Sequence, residues 1–202
     1  GIVVLGGMVV GFDSDGLDIF RRQYEFAMST PVPLFTPVAL FAHVSTPLHA
    51  RLRKEDRLVP DSEEMPYFPW NINIVPQRMN RDQLRDGLQW LINKLYDPRA
   101  FTERVQRLTR TLPKRGAVPG CSRTPRPVPV RPIERECITL LRKLPRLGSA
   151  EVWMTVRMLA LMVARPRLAR TIVGQLLAYM QIRYLVDRGG LWQPKLAELD
   201  EP

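Results

Sequence analysis

The feature that most constrains the fold is the opening run, GIVVLGGMVVGFDSD, which is apolar at almost every position from Ile2 to Phe12. A strand that is apolar on both faces is typical of a parallel sheet covered on both sides. Residues 2–12 are therefore predicted to form such a strand. A parallel sheet contains several strands, so this one needs partners that its immediate neighbourhood in the sequence does not supply.

A helix is predicted directly after this strand, in DSDGLDIFRRQYEFAM. Ser14 or Asp15 is expected to accept hydrogen bonds from the first free N–H groups of the helix. The helix should end at Thr30, because Pro31 follows and the residue before a proline is driven out of the α region.

A second strand is predicted in VPLFTPVALFAHV. Pro33 and Pro37 interrupt it, and a proline inside a strand marks its start, a bulge or an edge, so the paired part is expected over Val38–Val44. STPLHARLRKEDRL then predicts a helix with Thr46 as its cap and Pro47 in its first turn. The four elements form a βαβα unit whose strands end at one rim.

The rest of the chain predicts helices with clear start signals. NRDQLRDGLQWLINKLY begins at Asn80 and has Gln83 three residues later, which is the arrangement of a capping box. Asp97 caps the next helix and Pro98 lies in its first turn. Residues 113–132 are rich in proline and lack apolar periodicity, so they are predicted to form an extended linker.

Two apolar helices are predicted near the C-terminus, in SAEVWMTVRMLALMVA and RLARTIVGQLLAYMQIRYLVDR, with Gly189-Gly190 ending the second. Arginines interrupt both, whereas a membrane span needs about 20 mostly uncharged residues. A packed helical hairpin is favoured, and a pair of helices lying on a membrane surface is the alternative.

The net charge of +10 is unevenly distributed. Residues 1–60 carry six Lys or Arg and six Asp or Glu, whereas residues 100–190 carry eighteen against five. Such a basic surface either attracts RNA, DNA or anionic lipid or is a set of solvated helix faces. Nucleic acid is disfavoured as a partner, because the arginines are not interleaved with stacking aromatic residues.

The residues that commonly carry chemistry are few. His43 and His49 are the only histidines, and neither has a nucleophile and an acid near it in the sequence. Cys121 and Cys137 lie sixteen residues apart, which matches neither a zinc site nor a Cys-ligated iron–sulfur site. No complete catalytic set can be assembled from these residues, so all four are predicted to be structural or exposed.

Glycines inside the opening strand require a reason, because glycine weakens a strand. Gly7, Val9 and Gly11 form the pattern G-x-V-x-G, which is explained either by close approach of a ligand or by tight packing. Asp13 and Asp15 follow at the carboxyl end of the strand, where α/β sheets bind ligands. They are predicted either to bind sugar hydroxyls or to cap the next helix.

Five segments, taken in order, carry a resemblance to a known family: GGMVVGFDSD, DIFRRQYEF, STPLHARLRKEDRL, NIVPQRMNRDQL and KLYDPRAFTERV. They resemble the C-terminal part of radical SAM proteins with a cobalamin-binding domain, in the subgroup that includes the hopanoid methylases. The resemblance covers residues 1–112 well and the rest loosely. It implies an α/β then all-α fold, with the last βα units of a partial (β/α) radical SAM barrel followed by a mostly helical, DUF4070-like C-terminal region.

The resemblance also implies a cofactor-binding site, with no catalytic residue or metal ligand. In that family a G-x-I-x-G strand passes beside the adenine of S-adenosylmethionine, and the matching residues here are Gly7, Val9 and Gly11. Asp13 belongs to the acidic rim after this strand, and the backbone near Leu40 in the next strand would face the same adenine.

The CxxxCxxC motif that holds the [4Fe–4S] cluster of this family is absent from the 202 residues, as is the His-bearing motif of the cobalamin domain. Because a cluster needs its thiolates, the chain is interpreted as a fragment that is inactive alone and contributes part of the S-adenosylmethionine wall. The cobalamin- and cluster-binding portion is expected on the same or a separate chain. The alternative is a non-catalytic basic helical module that binds nucleic acid or an anionic membrane.

Four segments are predicted: the barrel end (1–58), a connecting loop with a helical hairpin (59–112), the linker (113–132) and a basic helical region (133–202). A cytoplasmic location is expected, with attachment to the periphery of the inner membrane as a further option. A membrane surface or a lipid-like substrate is the expected partner besides the missing portion.

Overall fold

The computed structural model describes residues 4–59, 71–112 and 142–201. They form a two-stranded parallel sheet and a larger set of helices packed into one hydrophobic core. The elements are β1 (Leu5–Val10), α1 (Ile19–Ser29), β2 (Leu34–Ala39), α2 (Pro47–Lys54), α3 (Arg81–Leu95), α4 (Pro98–Thr111), α5 (Ser149–Ala164) and α6 (Ala169–Arg188). The described part of the chain is thus mostly helical and contains a βαβα unit.

The second strand lies earlier in the sequence than expected. Strands β1 and β2 pair in register from Leu5 opposite Leu34 to Val10 opposite Ala39, so the prediction of pairing over Val38–Val44 is wrong. The reason is the position of Pro37 on an edge strand. The N–H of Leu40 donates to the carbonyl of Val10, so even-numbered residues of β2 face β1, and the nitrogen of Pro37 points away from the ladder.

Burial of β1 also differs from the prediction. Met8 and Val10 point into the core, whereas Leu5 is 57% exposed and Val9 38% exposed on the other side of the strand. Within the described residues the prediction that both faces are buried is therefore wrong, because nothing there covers Leu5, Gly7 and Val9 on the second face, although Leu34 on the same face is buried. Phe20 and Ala27 of α1 belong to the same buried core as Met8 and Val10.

Helix α1 begins later than predicted. Its N-cap is Asp18, without a side-chain capping bond, so the expectation that Ser14 or Asp15 caps it is wrong. Its end at Thr30, before Pro31, is as predicted. The helix lies very close to α3, since a Cβ atom added to Gly87 would fall 2.1 Å from the ring of Phe20.

The predicted N-caps of α2, α3 and α4 are confirmed. Thr46 caps α2 through a bond from the N–H of His49. Asn80 and Gln83 form the reciprocal capping box of α3. Asp97 accepts from the first N–H groups of α4.

Helices α5 and α6 correspond to the two apolar helices predicted near the C-terminus, with Gly189 at the end of α6. Their buried side chains include Met154 and Met158 of α5 and Leu176 and Tyr179 of α6. In the three described ranges, no helix is long and apolar enough to cross a membrane. The predicted linker (113–132), Cys121 and Cys137 lie outside the described residues, and the four-segment division stays a prediction.

The outer edge of β2 is closed by side chains rather than by another strand. Odd-numbered residues of β2 direct their backbone groups away from β1, and at Phe35 the hydroxyl of Tyr96 serves both of them. It accepts from the Phe35 N–H at 3.2 Å and donates to the Phe35 carbonyl at 2.5 Å. Burial raises the pKa of Tyr96 to about 12, so the phenol is neutral and can donate at pH 7.

Arg104 closes the same edge two residues before Phe35, at Pro33. Its Nε donates to the carbonyl of Pro33 at 3.2 Å, and its Nη2 donates to the carbonyl of Leu95 at the end of α3. The side chain is completely buried, and this burial lowers its pKa to about 10. It therefore remains charged at pH 7, and backbone carbonyls partly replace the water it has lost.

The outer edge of β1 is different. Leu5, Gly7 and Val9 direct their backbone N–H and C=O groups away from β2, and among the described residues no hydrogen bond reaches them. A strand edge of this kind can pair with a further strand. The sheet can therefore be extended beside β1 but not beside β2.

Removing the Tyr96 hydroxyl should test the closed edge. We expect Tyr96→Phe to lower the free energy of unfolding by about 1–3 kcal/mol, because two buried backbone groups of Phe35 lose their partner. Urea denaturation followed by circular dichroism measures the change. Tyr184→Phe, at an exposed tyrosine of α6, is the control and should change stability by less than about 0.5 kcal/mol. Equal effects of the two substitutions would contradict this account.

Candidate functional site

The candidate site begins with the uncovered face of the sheet, here named the open face and formed by Gly7 and Val9 of β1 with Thr36 and Val38 of β2. These four residues lie side by side in the register and share one face. Gly7 and Val9 are exposed, and the two residues of β2 are half-buried. The open face is therefore a shallow apolar surface on two parallel strands.

The glycines of this segment have different structural reasons. A Cβ atom added to Gly6 would lie 2.5 Å from the ring of Phe35, so packing requires that glycine. At Gly7 an added Cβ would meet nothing within 4 Å. Packing within the described residues therefore does not explain Gly7. Its missing side chain leaves room on the open face.

Gly11 has a third reason, which is its backbone conformation. Its φ is +100°, a region that residues with a side chain rarely adopt. It also contacts α3, because an added Cβ would lie 3.1 Å from a methyl carbon of Leu84. Gly11 ends β1 and turns the chain into the following loop, so a ligand is not needed to explain it.

The loop after Gly11 is held by Asp15. One carboxylate oxygen of Asp15 accepts from the N–H groups of Gly11 at 2.9 Å and Phe12 at 3.0 Å. Asp15 therefore stabilises the loop that it belongs to rather than helix α1. Leu40, at the end of β2, bonds through its N–H to the carbonyl of Val10 at 2.7 Å. The two strand ends thus lie together at one rim.

Asp13 lies at that rim between two arginines. One carboxylate oxygen accepts from Arg57 at 2.5 Å and the other from Arg51 at 2.8 Å. The hydrogen bond from Arg57 is the main reason that the pKa of Asp13 lies below its ordinary value, and the same bond raises the pKa of Arg57. Both oxygens are thus engaged, and a sugar hydroxyl would have to compete with a guanidinium.

Arg57 joins three parts of the rim. Besides Asp13, it donates from Nε to the carbonyl of Val75 at 2.8 Å and from Nη1 to Glu55 at 2.7 Å. Its side chain is only 15% exposed. Neither Arg51 nor Arg57 could be identified from the sequence, because nothing in the order of residues indicates that helix α2 lies against the loop after β1.

The remaining predicted chemistry is not assembled into a site. His43 is exposed and lies edge-on to Phe41, with ring centroids 4.9 Å apart, and His49 is half-buried in α2. In the part of the chain that the structure describes, no group of three or more His, Cys, Asp or Glu is placed to hold a metal ion.

A cavity of about 510 Å³ lies elsewhere, beside the first turns of α4 and α5 and the segment after α6. Its walls include Asp97, Glu151, Trp192 and Glu198. Glu151 is buried with its carboxylate 3.9 Å from Arg183, and the guanidinium of Arg183 lies 3.6 Å from the ring centre of Trp192. None of the residues predicted to bind a cofactor lines this cavity.

The two glycines of the rim allow a matched test. We expect Gly11→Ala to lower the free energy of unfolding by about 1–3 kcal/mol, because alanine is strained at a φ of +100°. Gly7→Ala should leave it unchanged or raise it by up to about 1 kcal/mol, since the added methyl group meets nothing. Urea denaturation gives both values. Destabilisation by Gly7→Ala similar to that by Gly11→Ala would show that Gly7 is packed.

The rim should also be sensitive to acid. Because the pKa of Asp13 is lowered on folding, its ion pairs stabilise the protein above the unfolded pKa near 3.8 and lose this effect as pH falls through the lowered value. Asp13→Asn should therefore cost about 0.5–1 kcal/mol at pH 6–8, and this difference from wild type should shrink below about pH 4. Asp86→Asn, at an exposed position of α3, is the control. A difference independent of pH down to 2.5 would contradict the assignment.

Among known proteins, one family model and one curated protein match this chain. An uncharacterized methyltransferase, sll1242, of Synechocystis sp. (strain ATCC 27184 / PCC 6803 / Kazusa) is 29% identical over 109 residues, which is 53% of this chain and 20% of that protein. The chain thus spans about a fifth of the length of this relative. No solved structure matches.

A family model described as a domain of unknown function, DUF4070, matches residues 46–185. The match begins at Thr46, the N-cap of α2, and continues into α6. The open face lies before its first residue. Since the match covers more than half of the 202 residues, the chain belongs to the DUF4070 family.

Proposed function

We propose that this chain is the C-terminal part of an S-adenosylmethionine-dependent methyltransferase of the radical SAM class, in which β1 and β2 are the last strands of a partial (β/α) barrel. The similarity to an uncharacterized methyltransferase supports a role related to methylation. Because the chain covers 20% of that relative, the activity, substrate and partners of the whole protein belong to the proposal.

The observation that supports this proposal is the difference between the two edges of the sheet. Beside β2 the edge is closed by Tyr96 and Arg104, whereas beside β1 no hydrogen bond from a described residue reaches the backbone of Leu5, Gly7 and Val9. A barrel that ends at β2 and continues before β1 has this asymmetry. The open face would then point into the barrel, and further strands would cover it.

The open face fits one side of a flat aromatic ring. Gly7 leaves space where a side chain would stand, and Val9 with Val38, which is opposite it in the register, supplies an apolar surface next to that space. Leu40 and Gly11 lie where the two strands end, and the hypothetical Cβ of Gly11 lies 3.8 Å from the Cβ of Leu40. In this proposal Gly7, Val9 and Leu40 form the wall beside the adenine, and S-adenosylmethionine supplies the transferable group.

Asp13 has an indirect role in the proposal. Its carboxylate holds Arg51 and Arg57, which fixes helix α2 to the loop after β1. Gly11 sets the direction of that loop. In this proposal Asp13 and Gly11 therefore position the wall, and the Asp13 side chain does not contact the cofactor.

The described residues do not fit an iron–sulfur cluster or cobalamin. The CxxxCxxC thiolates and the His-bearing cobalamin motif are both absent from the 202 residues, and no group of three or more His, Cys, Asp or Glu in the described ranges is placed to hold a metal ion. No step through a cluster or a corrin is therefore assigned to this chain, and both cofactors would belong to the remaining part of the enzyme. The nucleic-acid alternative is not favoured, because the large apolar side chains exposed on α5 and α6 are mostly aliphatic, and the two exposed aromatic residues, Trp153 and Tyr184, lie on different helices.

Ligand-observed NMR can test the wall directly. We expect saturation of the protein methyl groups to transfer to the adenine protons of S-adenosylmethionine, and Gly7→Leu to reduce this transfer at least about fivefold without loss of the cooperative urea transition. Gly174→Leu is the matched control, since an added Cβ at this glycine of α6 also meets nothing within 4 Å. Transfer that Gly7→Leu and Gly174→Leu affect equally, or no transfer at all, would reject the wall.

The gene offers a second test, which addresses the enzyme class rather than the wall. Reading the genomic DNA upstream of the codon for Gly1 should reveal CxxxCxxC, either in the same frame or in an adjacent gene. A complete, expressed frame that begins near Gly1, with no such motif nearby, would reject the radical SAM assignment.

A further inference from the structure

Helix α5 has an apolar outer surface that nothing in the described part of the chain covers. Five large side chains are exposed on it: Val152, Trp153, Val156, Leu159 and Val163. Their spacing puts them on one side of the helix, here named the outer stripe. Val156 is 59% exposed and Val163 83% exposed, whereas large apolar side chains in a folded domain are usually buried.

The opposite side of α5 is fixed to the protein. Met154 and Met158 are fully buried in the core, and Glu151 is buried beside Arg183 of α6. The orientation of the helix is therefore set by its inner side, and the outer stripe is held toward the surroundings. A helix that is apolar on all sides is normally covered on all sides, by protein or by lipid.

The charge in the part of the sequence that carries the outer stripe has a single sign. From Val152 to Val186 the sequence contains no Asp or Glu, and its five charged residues are arginines: Arg157, Arg165, Arg167, Arg170 and Arg183. Arg183 is buried, and Arg165 donates to the carbonyl of Thr109. Arg157, Arg167 and Arg170 are exposed, so the free charge of α5 and the start of α6 between Val152 and Val186 is positive.

One of these arginines is combined with an aromatic ring. The guanidinium of Arg157 lies 5.7 Å from the ring centre of Trp153, within the range of a cation–π contact. Tryptophan and arginine together suit the boundary between lipid and water, where the ring enters the headgroup region and the charge stays near phosphate.

We infer that the outer stripe of α5 docks on an anionic lipid surface. The helix lies in the plane of the interface, its apolar side chains enter the boundary between headgroups and acyl chains, and Arg157, Arg167 and Arg170 contact lipid phosphates. Charge distinguishes this partner from a second copy of the chain. A symmetric pair of stripes would bring the same arginines together, and residues 152–186 supply no acid to offset them.

Vesicle binding by the full chain tests the inference. Co-sedimentation with vesicles of phosphatidylcholine alone and of phosphatidylcholine with 30% phosphatidylglycerol should show at least about tenfold tighter binding to the anionic vesicles. Raising NaCl from 0.1 to 0.5 M should weaken this binding by about tenfold, because lipid–arginine attraction is screened. The emission of Trp153 should shift to the blue on binding, and the shift should be absent in Trp153→Phe.

Matched substitutions distinguish binding through the outer stripe from non-specific binding through other exposed apolar residues. Val156→Glu should reduce binding to the anionic vesicles at least about tenfold, whereas Leu17→Glu, at an exposed leucine before α1, should leave it within twofold. The two variants should have the same urea midpoint as wild type. Equal loss in both variants, or no preference for anionic vesicles, would overturn the inference. A dimer in sedimentation velocity that Val156→Glu dissociates, without vesicle binding, would overturn it in favour of self-association.

Discussion

The hydroxyl of Tyr96 and the guanidinium of Arg104 determine how the helical region fits against the two-stranded sheet. Both groups come from the helical region, and both bond to the backbone of β2 or the residue before it. Each group is buried, and burying either one without these partners would lower the free energy of unfolding. The helices are thus tied to one edge of the sheet, and that edge cannot accept another strand.

This constraint has consequences for the rest of the sheet. With one edge closed, growth of the sheet is possible only beside β1, whose outer backbone groups meet no described residue. With α1 and α3 on one face, the other face remains open at Gly7 and Val9. The proposed cofactor wall therefore lies where a longer protein would add both its strands and its ligand. The same helical region presents the outer stripe of α5 elsewhere on the surface.

Local signals in the sequence predicted local structure well. The caps Thr46, Asn80 and Asp97 were identified because each bonds to N–H groups only two or three residues away. The position of β2 was not, because the effect of Pro37 depends on which edge faces the partner strand. Asp15 was taken as a helix cap, whereas it bonds back to Gly11 and Phe12. An aspartate at this position can bond either forward to the helix or back to the loop, and the sequence does not indicate which of the two forms.

The sequence by itself determined the order and type of the helices and strands, and that Gly7 and Gly11 are unusual for a strand, since propensity, capping and periodicity are properties of neighbouring residues. Only the tertiary structure decided that packing leaves Gly7 free while φ requires Gly11 to be glycine. It also decided that two arginines engage Asp13. Those outcomes depend on contacts between residues far apart in the chain, and no local pattern encodes such contacts.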